Sequence, residues 1–468
     1  MFAIPGILLL LVFIYIRPQE FLHELRPIPL LYLFFGLAIF GLVIDLKLRK
    51  SKPIVTPQLF WVGLFFFWCV MTLAIRKPDA LVGESLSIAI SITLYLLIGH
   101  GVQTFRAFQL VAGTLLALVL WLSFVGIHQG VAPFGCHVVD QQNAASGDLS
   151  VGVYDGRPCE TEHDCMRNDP EPGADYLCER VGLFGTSSIG SGRVRYLGPL
   201  QDPNELSLAL GIGIPFAFAF LERKRTGTRT VLLLFTLVMV GACTVFTQSR
   251  GGQLVFMAAV GSYFIKRYGI KGAIFGVVMA APLMLLGGRS GEEAESSSIE
   301  RLECWYAGMD MFRSYPLIGV GATQFTEHHY LTAHNSYVLA PAEIGFPGFV
   351  IWSMVMYVTT KIPVAALKRL APGSTSAVKF GPEADIARAW AMGLLAALVG
   401  LLVGIFFLSF CYHQMLWIYI GVSGAFFCAM QRHDPDFEVG VTSREIWMVA
   451  GIDAALIIAI TVYTHLKV

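Results

Sequence analysis

The sequence predicts an all-α membrane protein with about 12 to 13 transmembrane helices and two large extracytoplasmic loops. Hydrophobic residues make up 55% of its 468 residues and charged residues only 14%, a composition far from that of a soluble domain. Apolar runs of about 15 to 25 residues, the length that crosses a bilayer, recur along the whole chain. These two observations exclude an ordinary soluble globular protein.

Short charged or Gly/Pro-containing segments separate the apolar runs and define the predicted spans. These spans lie near 2–16, 28–46, 58–75, 86–100, 107–127, 205–221, 229–247, 252–265, 270–288, 336–360, 389–408, 414–430 and 446–463. The first run lacks a basic n-region and a small-residue cleavage site, so we expect a retained helix and not a removed signal peptide.

The spans and loops divide the chain into five regions. They are the N-terminal helices 1–127, a cysteine-containing loop 128–204, the helices 205–288, a second loop 289–335 and the C-terminal helices 336–468. No internal repeat is visible in the hydropathy pattern, which weakens a secondary-transporter interpretation.

Lys and Arg residues set the expected orientation, because basic connections stay on the cytoplasmic side. They collect at the connections 47–52, 222–229, 266–271 and 361–388. The two large loops, 128–204 and 289–335, are then expected to face outward. No segment gathers basic and aromatic residues into one stripe, so nucleic acid is not an expected partner.

Four of the nine cysteines lie in the first large loop, namely Cys136, Cys159, Cys165 and Cys178. A Gly- and Pro-rich polar segment in an oxidising compartment is a candidate for disulfide stapling, and three pairings are possible. A zinc site that includes His137 or His163 is the alternative. The five-residue gap between Cys159 and Cys165 is not a zinc-knuckle spacing and favours disulfides.

Five cysteines lie outside this loop, and one acidic residue, Asp453, lies inside an apolar run. Cys304 is expected to be an unpaired outward thiol, and the remaining cysteines are expected to pack inside helices; these are Cys69, Cys243, Cys411 and Cys428. Asp453 lies inside the last apolar run and should face a helix partner or a cavity. It fits a hydrogen-bonded packing residue as well as a functional one.

Three constellations at the predicted outer edge carry the candidate chemistry. The first is Ser249-Arg250-Gly251-Gly252, which joins two spans. The planar guanidinium of arginine matches phosphate oxygens. Snorkelling of Arg250 towards the interface is the alternative interpretation.

The second constellation is Arg301 and Trp305, followed by the sequence SYPLIGVG. A spacing of four places both side chains on one helix face. Residues 299–313 read as an amphipathic helix with Leu302, Trp305, Met309 and Phe312 on one side. The alternative is a simple interfacial helix that caps the bundle.

The third constellation is His334-Asn335 at the start of the predicted helix 336–360, within TAHNSYVLAPAEIGFPG. An ordinary histidine has a pKa of about 6.5 and can take a proton from an attacking hydroxyl at neutral pH. A hydrogen bonder near the helix N-cap is the alternative. A metal site formed by Glu327, His328, His329 and His334 lacks the HExxH spacing.

Four motifs follow one another along the chain, namely Asp202-Pro203-Asn204, SRGG, RxxxW with YPLIGVG, and HNSY with EIGFPG. In this order they resemble the motifs of the bacterial O-antigen ligase and O-antigen polymerase superfamily. The resemblance covers roughly residues 195–360 and implies an integral-membrane glycosyltransferase of the inner membrane. It implies a glycan donor linked to undecaprenyl diphosphate, an active site facing the periplasm, and no cofactor or metal.

The resemblance also implies roles for individual residues. Arg250 and Arg301 would hold the donor diphosphate, and His334 would activate the acceptor hydroxyl with Asn335 beside it. Asp202 and Asn204 are candidate substrate-binding residues, although the same sequence also fits a turn and helix N-cap. The acceptor would be a glycan or a lipid A core.

The cysteine-containing insertion departs from the superfamily pattern. It could be an acceptor-recognition lid or a passive extracytoplasmic addition. Arg193 and Arg195 at its end could extend the anion-binding surface, with solvated loop arginines as the alternative. A transporter or channel for a small anion or a lipid-linked sugar, which would use the same arginines, is the competing function.

Overall fold

The computed structural model describes residues 1–139, 153–167, 174–190, 192–274, 276, 278, 288 and 292–467. The chain folds into two compact units. The first unit contains Met1–Ile7, Phe35–Ala112 and Ser290–Val468, and the second contains Leu8–Phe34 and Gly113–Arg289.

Helices dominate both units, and the predicted all-α membrane fold is confirmed. In chain order the first helices are α1 (Ala3–Ile16), α2 (Pro18–Phe21), α3 (Leu30–Lys47), α4 (Leu59–Arg76), α5 (Leu81–Gly101) and α6 (Phe105–Val131). The middle helices are α7 (Glu162–Arg167), α8 (Pro203–Arg223), α9 (Gly227–Thr247), α10 (Arg250–Tyr268) and α11 (Glu292–Ser314). The last are α12 (Ser336–Arg369), α13 (Thr375–Phe380), α14 (Glu383–Gly404), α15 (Gln414–His433) and α16 (Ser443–Lys467).

Ten helices of the described residues are long and apolar enough to cross a membrane, namely α3, α4, α5, α6, α8, α9, α12, α14, α15 and α16. Helix α1 is apolar but shorter, with 14 residues. Helix α10 coincides with the predicted span 252–265 without meeting the same hydropathy criterion. Most of the predicted span 270–288 lies outside the described residues.

Glycines allow close helix packing inside each unit, as expected where apolar surfaces give helices little drive to associate in lipid. In the first unit α5 packs along α15, and Gly99 lies against Gly421 and Gly424. In the second unit α8 packs on α10, and a side chain at Gly252 would collide with Ser207.

Two of the four basic connections predicted to share one side belong to the first unit and lie at one end of it. Arg369 Nε lies 2.8 Å from Asp434 Oδ2, and Arg432 donates to the Lys50 carbonyl at 3.2 Å. His433 Nε2 lies 2.9 Å from Glu383 Oε2. The connections 47–52 and 361–388 therefore lie together, as the orientation prediction requires.

Several predicted boundaries differ from the observed helix ends by four residues or more, among them the start of α5 at Leu81 and not at 86 and the start of α14 at Glu383 and not at 389. Helix α12 continues past residue 360 to Arg369, because Lys361 at the helix surface donates to the Gly440 carbonyl and to Glu445 without interrupting the helix. Helix α14 ends at Gly404 and not at 408, and residues 405–413 form a turn.

The cysteine-containing loop forms a small antiparallel sheet that the sequence analysis did not predict. Its strands are β1 (Phe134–Val138), β2 (Val153–Pro158) and β3 (Tyr176–Arg180), in the order β2-β1-β3. Disulfides join Cys136 to Cys165 and Cys159 to Cys178. We call residues 134–196 the stapled lobe.

The stapled lobe should lose stability as the pH falls below about 6.5, the ordinary pKa of histidine. Burial lowers the pKa of His137, whose Nδ1 lies 2.9 Å from the Gly135 carbonyl oxygen. The unfolded lobe therefore takes up this proton at a higher pH than the folded lobe. The rate at which a protease cleaves the lobe, measured from pH 8 to pH 5, should rise on acidification, and it should rise less in the variant His137→Gln. An equal rise in both proteins would contradict the assignment.

Candidate active site

The SRG motif forms the turn between α9 and α10 in the second unit. Gln248 ends α9 in the left-handed conformation, with φ of 52°. Ser249 is the N-cap of α10, and its Oγ accepts the Gly252 N–H at 3.0 Å. Arg250 is the first residue of α10 and is exposed. It stands at a helix N-terminus, where the helix dipole also favours an anion.

The backbone of Gly288 packs against the side chain of Arg250. Gly288 has φ of 106°, and a Cβ at this position would lie 3.1 Å from Arg250 Cγ. A larger residue at 288 would therefore displace the arginine.

The DPN motif lies against the SRG motif. Asp202 is the N-cap of α8, and its Oδ1 accepts the N–H of Asn204 at 2.6 Å. Ser249 Oγ donates to Asn204 Oδ1 at 2.6 Å. The turn and N-cap interpretation of this motif is therefore correct. The predicted substrate-binding role of Asp202 and Asn204 has no support here, because both side chains are engaged in holding the two helix starts together.

Arg195 lies inside the stapled lobe and not on an anion-binding surface. Its side chain is 3% exposed, and NH2 lies 3.3 Å from Glu179 Oε2. Arg195 Nε also donates to the Ser187 carbonyl at 3.1 Å. The predicted substrate contact at Arg195 stays a prediction, and in this structure a buried ion pair with Glu179 engages its guanidinium. Sequence alone could not distinguish this pair from a solvated arginine.

In the first unit, α11 and the first turns of α12 run side by side in the same direction. A Cβ at Gly308 would lie 2.5 Å from Val338 Cγ1. Eight residues further along both segments, the Phe346 N–H donates to the Pro316 carbonyl at 2.8 Å. The predicted amphipathic helix 299–313 is therefore present within α11, and it packs along α12.

This packing brings two of the predicted site residues to the same end of the helix pair. Arg301 precedes Gly308 by seven residues, and His334 precedes Val338 by four. At a rise of about 1.5 Å per residue, Arg301 lies about 10 Å before Gly308 along the axis of α11. His334 lies two residues before the first residue of α12. Both Arg301 and His334 are partly exposed.

His334 has a left-handed backbone, with φ of 49°. This conformation is unusual for a residue other than glycine, and such strain often accompanies a functional position. The N-cap of α12 is the next residue, Asn335, whose Oδ1 accepts the Tyr337 N–H at 2.9 Å. The helix N-cap is thus the fully buried Asn335, and His334 is the residue that precedes it.

The turn 405–413 holds the start of α12 in place. Ser336 donates its N–H to the Ile405 carbonyl at 2.8 Å, and its Oγ donates to the Leu408 carbonyl at 2.6 Å. The Phe410 N–H donates to Ser336 Oγ at 2.8 Å. These bonds fix the residue that follows His334-Asn335 and so limit the motion of the histidine.

Helix α12 is broken near its N-terminal end, and the YPLIGVG segment fills the break. Pro347 has no N–H for the Glu343 carbonyl, and Gly345 has φ of 66°. The Gly321 N–H donates to the Glu343 carbonyl at 2.9 Å. Irregular backbone at membrane depth requires such partners, because lipid supplies none.

The carboxylate of Glu343 organises the segment that leads back towards His334. It is 2% exposed, and its oxygens accept the N–H of Thr323 at 3.0 Å and the N–H of Phe325 at 2.9 Å. Thr323 has φ of 62°. The sequence analysis noted Glu343 in the third motif but did not predict this role, since the two donors lie about 20 residues earlier.

Glu343→Gln should lower the stability of the first unit by about 1 to 3 kcal/mol, because one of the two buried N–H groups would face an amide donor. Hydrogen exchange at Thr323 and Phe325 should become faster, and the detergent-purified protein should melt at a lower temperature. Glu303→Gln, at an exposed position of α11, is the matched control. Unchanged exchange at Thr323 and Phe325 would contradict the role of Glu343.

Arg76 is a residue that the sequence analysis missed. Its Nε donates to the Gly319 carbonyl at 3.0 Å, and its guanidinium lies 3.9 Å from the centre of the Tyr315 ring. Arg76 therefore holds the YPLIGVG segment against the end of α4. An arginine at a predicted outer span end is the signal that could have directed attention to it.

Cys304 is fully buried, so its prediction as an outward thiol was wrong. Burial raises the pKa of this thiol to about 11, with smaller contributions from Glu300 and Glu303. Its Sγ lies 3.9 Å from His329 Nδ1. The loop after Phe325 covers this face of α11, which sequence periodicity could not show.

The alternative metal site near residue 330 finds no support in its side-chain contacts. Glu327 lies 3.1 Å from Lys77 Nζ, and its hydrogen bond raises the pKa of Lys77. His329 Nδ1 is bonded to the backbone of Leu331.

Among the described residues, the one group spaced to hold a metal ion lies in the stapled lobe. Its members are Cys136, Cys159 and Cys165. All three are in disulfides, so the disulfide interpretation fits this structure and the zinc alternative does not.

Comparison with known protein families agrees with the motifs. Residues 234–353, roughly a quarter of the chain, match the O-antigen ligase family. The resemblance to the O-antigen ligase and polymerase superfamily is thereby confirmed. The match contains Arg250, Arg301 and His334 and begins after the DPN motif. No curated protein matches the chain.

The family match indicates glycosyltransferase activity of the O-antigen ligase type in a multi-pass membrane protein. Arg250 belongs to the second unit, and Arg301 and His334 belong to the first. Contacts within the second unit hold the SRG turn, and contacts within the first unit hold the segments that carry Arg301 and His334.

Proposed function

We propose that the protein transfers or polymerises a glycan from an undecaprenyl-diphosphate-linked donor at the periplasmic face of the bacterial inner membrane. The observation that carries the proposal is the single O-antigen ligase match that contains Arg250, Arg301 and His334. Membrane lipids and an acceptor glycan are the expected partners, and neither a metal nor a cofactor is required.

The chemistry follows from the leaving group. The acceptor hydroxyl attacks the anomeric carbon, and the bond between that carbon and the diphosphate oxygen breaks. Negative charge accumulates on the departing diphosphate, where two fixed guanidinium groups stabilise it more than they stabilise the bound donor. Arg250 and Arg301 take this role in the proposal.

His334 takes the proton from the acceptor hydroxyl as the new bond forms. A single displacement of this kind inverts the anomeric centre. The buried Asn335 cap and the bonds around Ser336 support this assignment, because a general base must be held within reach of the proton that it removes.

We favour a polymerase or exopolysaccharide-assembling enzyme over a ligase that uses lipid A core. The stapled lobe offers no evident fit to a lipid A acceptor. In a polymerase the acceptor is a second lipid-linked repeat unit, so donor and acceptor carry the same headgroup chemistry.

The test uses the full chain in lipid nanodiscs with an undecaprenyl-diphosphate-linked oligosaccharide and with either lipid A core or more of the same lipid as acceptor. We expect a longer glycan and released undecaprenyl diphosphate, also in the presence of EDTA. Product with lipid A core alone would identify a ligase. If no undecaprenyl diphosphate is released and an anion or a lipid-linked sugar crosses the membrane of proteoliposomes, the protein is a transporter and not an enzyme.

A further inference from the structure

The stapled lobe is bonded directly to the last turn of α9, which leads into the SRG motif. Arg193 Nε donates to the Thr247 carbonyl at 3.3 Å, and the Val194 N–H donates to the Phe246 carbonyl at 3.1 Å. Both acceptors belong to the last residues of a helix, whose carbonyls have no partner within the helix. Arg250 follows Thr247 by three residues.

Close packing below this junction leaves little room for it to move. Val194 is fully buried, and Gly126 of α6 lies against Val194 and Cys243. The ring of Phe246 lies against Gly130, where a Cβ would be 2.5 Å from Cγ of the ring. Because Gly126 and Gly130 of α6 have no side chains, the residues that join the lobe to α9 can pack against this helix.

The disulfides of the lobe are linked to this junction through a buried ion pair. Cys178 is bonded to Cys159 and is followed by Glu179, which pairs with Arg195 at 3.3 Å. The Arg195 N–H also donates to Gln129 Oε1 at 2.9 Å. Arg195 is two residues from Arg193, so one short segment contacts β3, α6 and the end of α9.

We propose that the stapled lobe is a positioning element for Arg250, with Arg193 as the positioning residue. The inference rests on the proposed function, since it concerns donor binding by Arg250. Gln248 has a left-handed backbone, and the bonds to Phe246 and Thr247 hold the helix end that precedes this turn. A cation beside a helix C-terminus is also favourable electrostatically. Affinity for the donor diphosphate therefore depends on the disulfides of the lobe.

The first experiment measures kcat and both KM values for Arg193→Ala and Arg193→Lys in nanodiscs with the undecaprenyl-diphosphate-linked donor. We expect Arg193→Ala to raise the donor KM about tenfold with an unchanged acceptor KM, the loss typical of one charge-assisted hydrogen bond. Lysine should restore most of the affinity, because it also donates to a carbonyl. Arg167→Ala, at an exposed position of helix α7 in the same lobe, is the matched control and should leave the donor KM unchanged.

The second experiment combines Arg193→Ala with the double replacement Cys159→Ser/Cys178→Ser. If the lobe acts through Arg193, removal of the disulfide should raise the donor KM severalfold in the wild-type background and cause little further change in Arg193→Ala. Effects that multiply would overturn the proposal. An unchanged donor KM in Arg193→Ala, or equal changes in both KM values with a lower melting temperature, would also overturn it.

These outcomes are distinct from a failure of the proposed function. If the wild type does not turn over the lipid-linked donor, the proposed function fails. If the wild type is active and Arg250→Ala impairs it while the lobe variants do not, the inference alone fails.

Discussion

Replacement of His334 by alanine is expected to lower kcat for glycan transfer by about 10²- to 10⁴-fold, the usual contribution of a positioned general base. The donor KM should change little, because the imidazole acts on the acceptor hydroxyl and not on the diphosphate. A single-turnover assay with saturating donor and acceptor measures this effect without interference from product release.

The geometry around His334 explains why its neighbours cannot replace it. Its strained backbone is followed by the buried cap Asn335 and by Ser336, which is bonded to the turn 405–413. His329 is bonded to the backbone of Leu331. His334 therefore directly precedes the fixed start of α12, whereas the ring of His329 is engaged with the backbone.

The matched control is His328→Ala, because His328 is exposed in the same loop. This variant should retain wild-type kcat within about twofold, as surface substitutions away from special features usually do. If His334→Ala keeps wild-type kcat under single-turnover conditions, the general-base assignment is wrong. An equal loss in His328→Ala would point to a disturbed loop and not to lost base catalysis.

The helices could be predicted from the sequence because each apolar run is long enough to be visible without tertiary information. The helix cap at Asp202 was also visible, since Asp-Pro-Asn favours a helix start locally. Motif order gave the candidate site residues, and the family match covers the three main ones. These features depend on neighbours in the sequence.

Long-range contacts could not be predicted in the same way. Glu343 caps backbone groups about 20 residues away, and Arg195 pairs with Glu179 inside the stapled lobe. The sheet of the lobe has strands of five or six residues in a Gly- and Pro-containing segment, too short for clear alternation. Buried Cys304 was misassigned for the same reason, because the loop that covers it comes later in the chain.

Arg250→Ala and Arg301→Ala are each expected to lower kcat about 10²- to 10³-fold, the effect typical of removing one donor that stabilises a developing anion, and to raise the donor KM, because each guanidinium also contacts the bound diphosphate. The acceptor KM should be unchanged. Lysine at either position should restore part of the activity, because it keeps the charge but loses the planar fork that matches two phosphate oxygens.

A matched control for Arg301 is available on the same helix. Arg313 lies three turns further along α11, is exposed, and its NH1 lies 3.3 Å from His465 Nε2. Arg313→Ala should therefore leave kcat near the wild-type value. For Arg250 the control is Arg225→Ala, which removes an exposed guanidinium paired with Glu222 on the connection between α8 and α9.

The double variant Arg250→Ala/Arg301→Ala tests whether the two arginines serve one diphosphate. If both contact the same leaving group, their effects should not simply multiply, because groups that act as a unit show strong coupling in double-mutant cycles. The coupling between the two substitutions should then have the same sign and a similar size in two measurements, the rate of glycan transfer and the affinity for free undecaprenyl diphosphate. Independent, multiplying losses would mean that the arginines act on different substrates or at different steps, and the shared donor site would have to be abandoned.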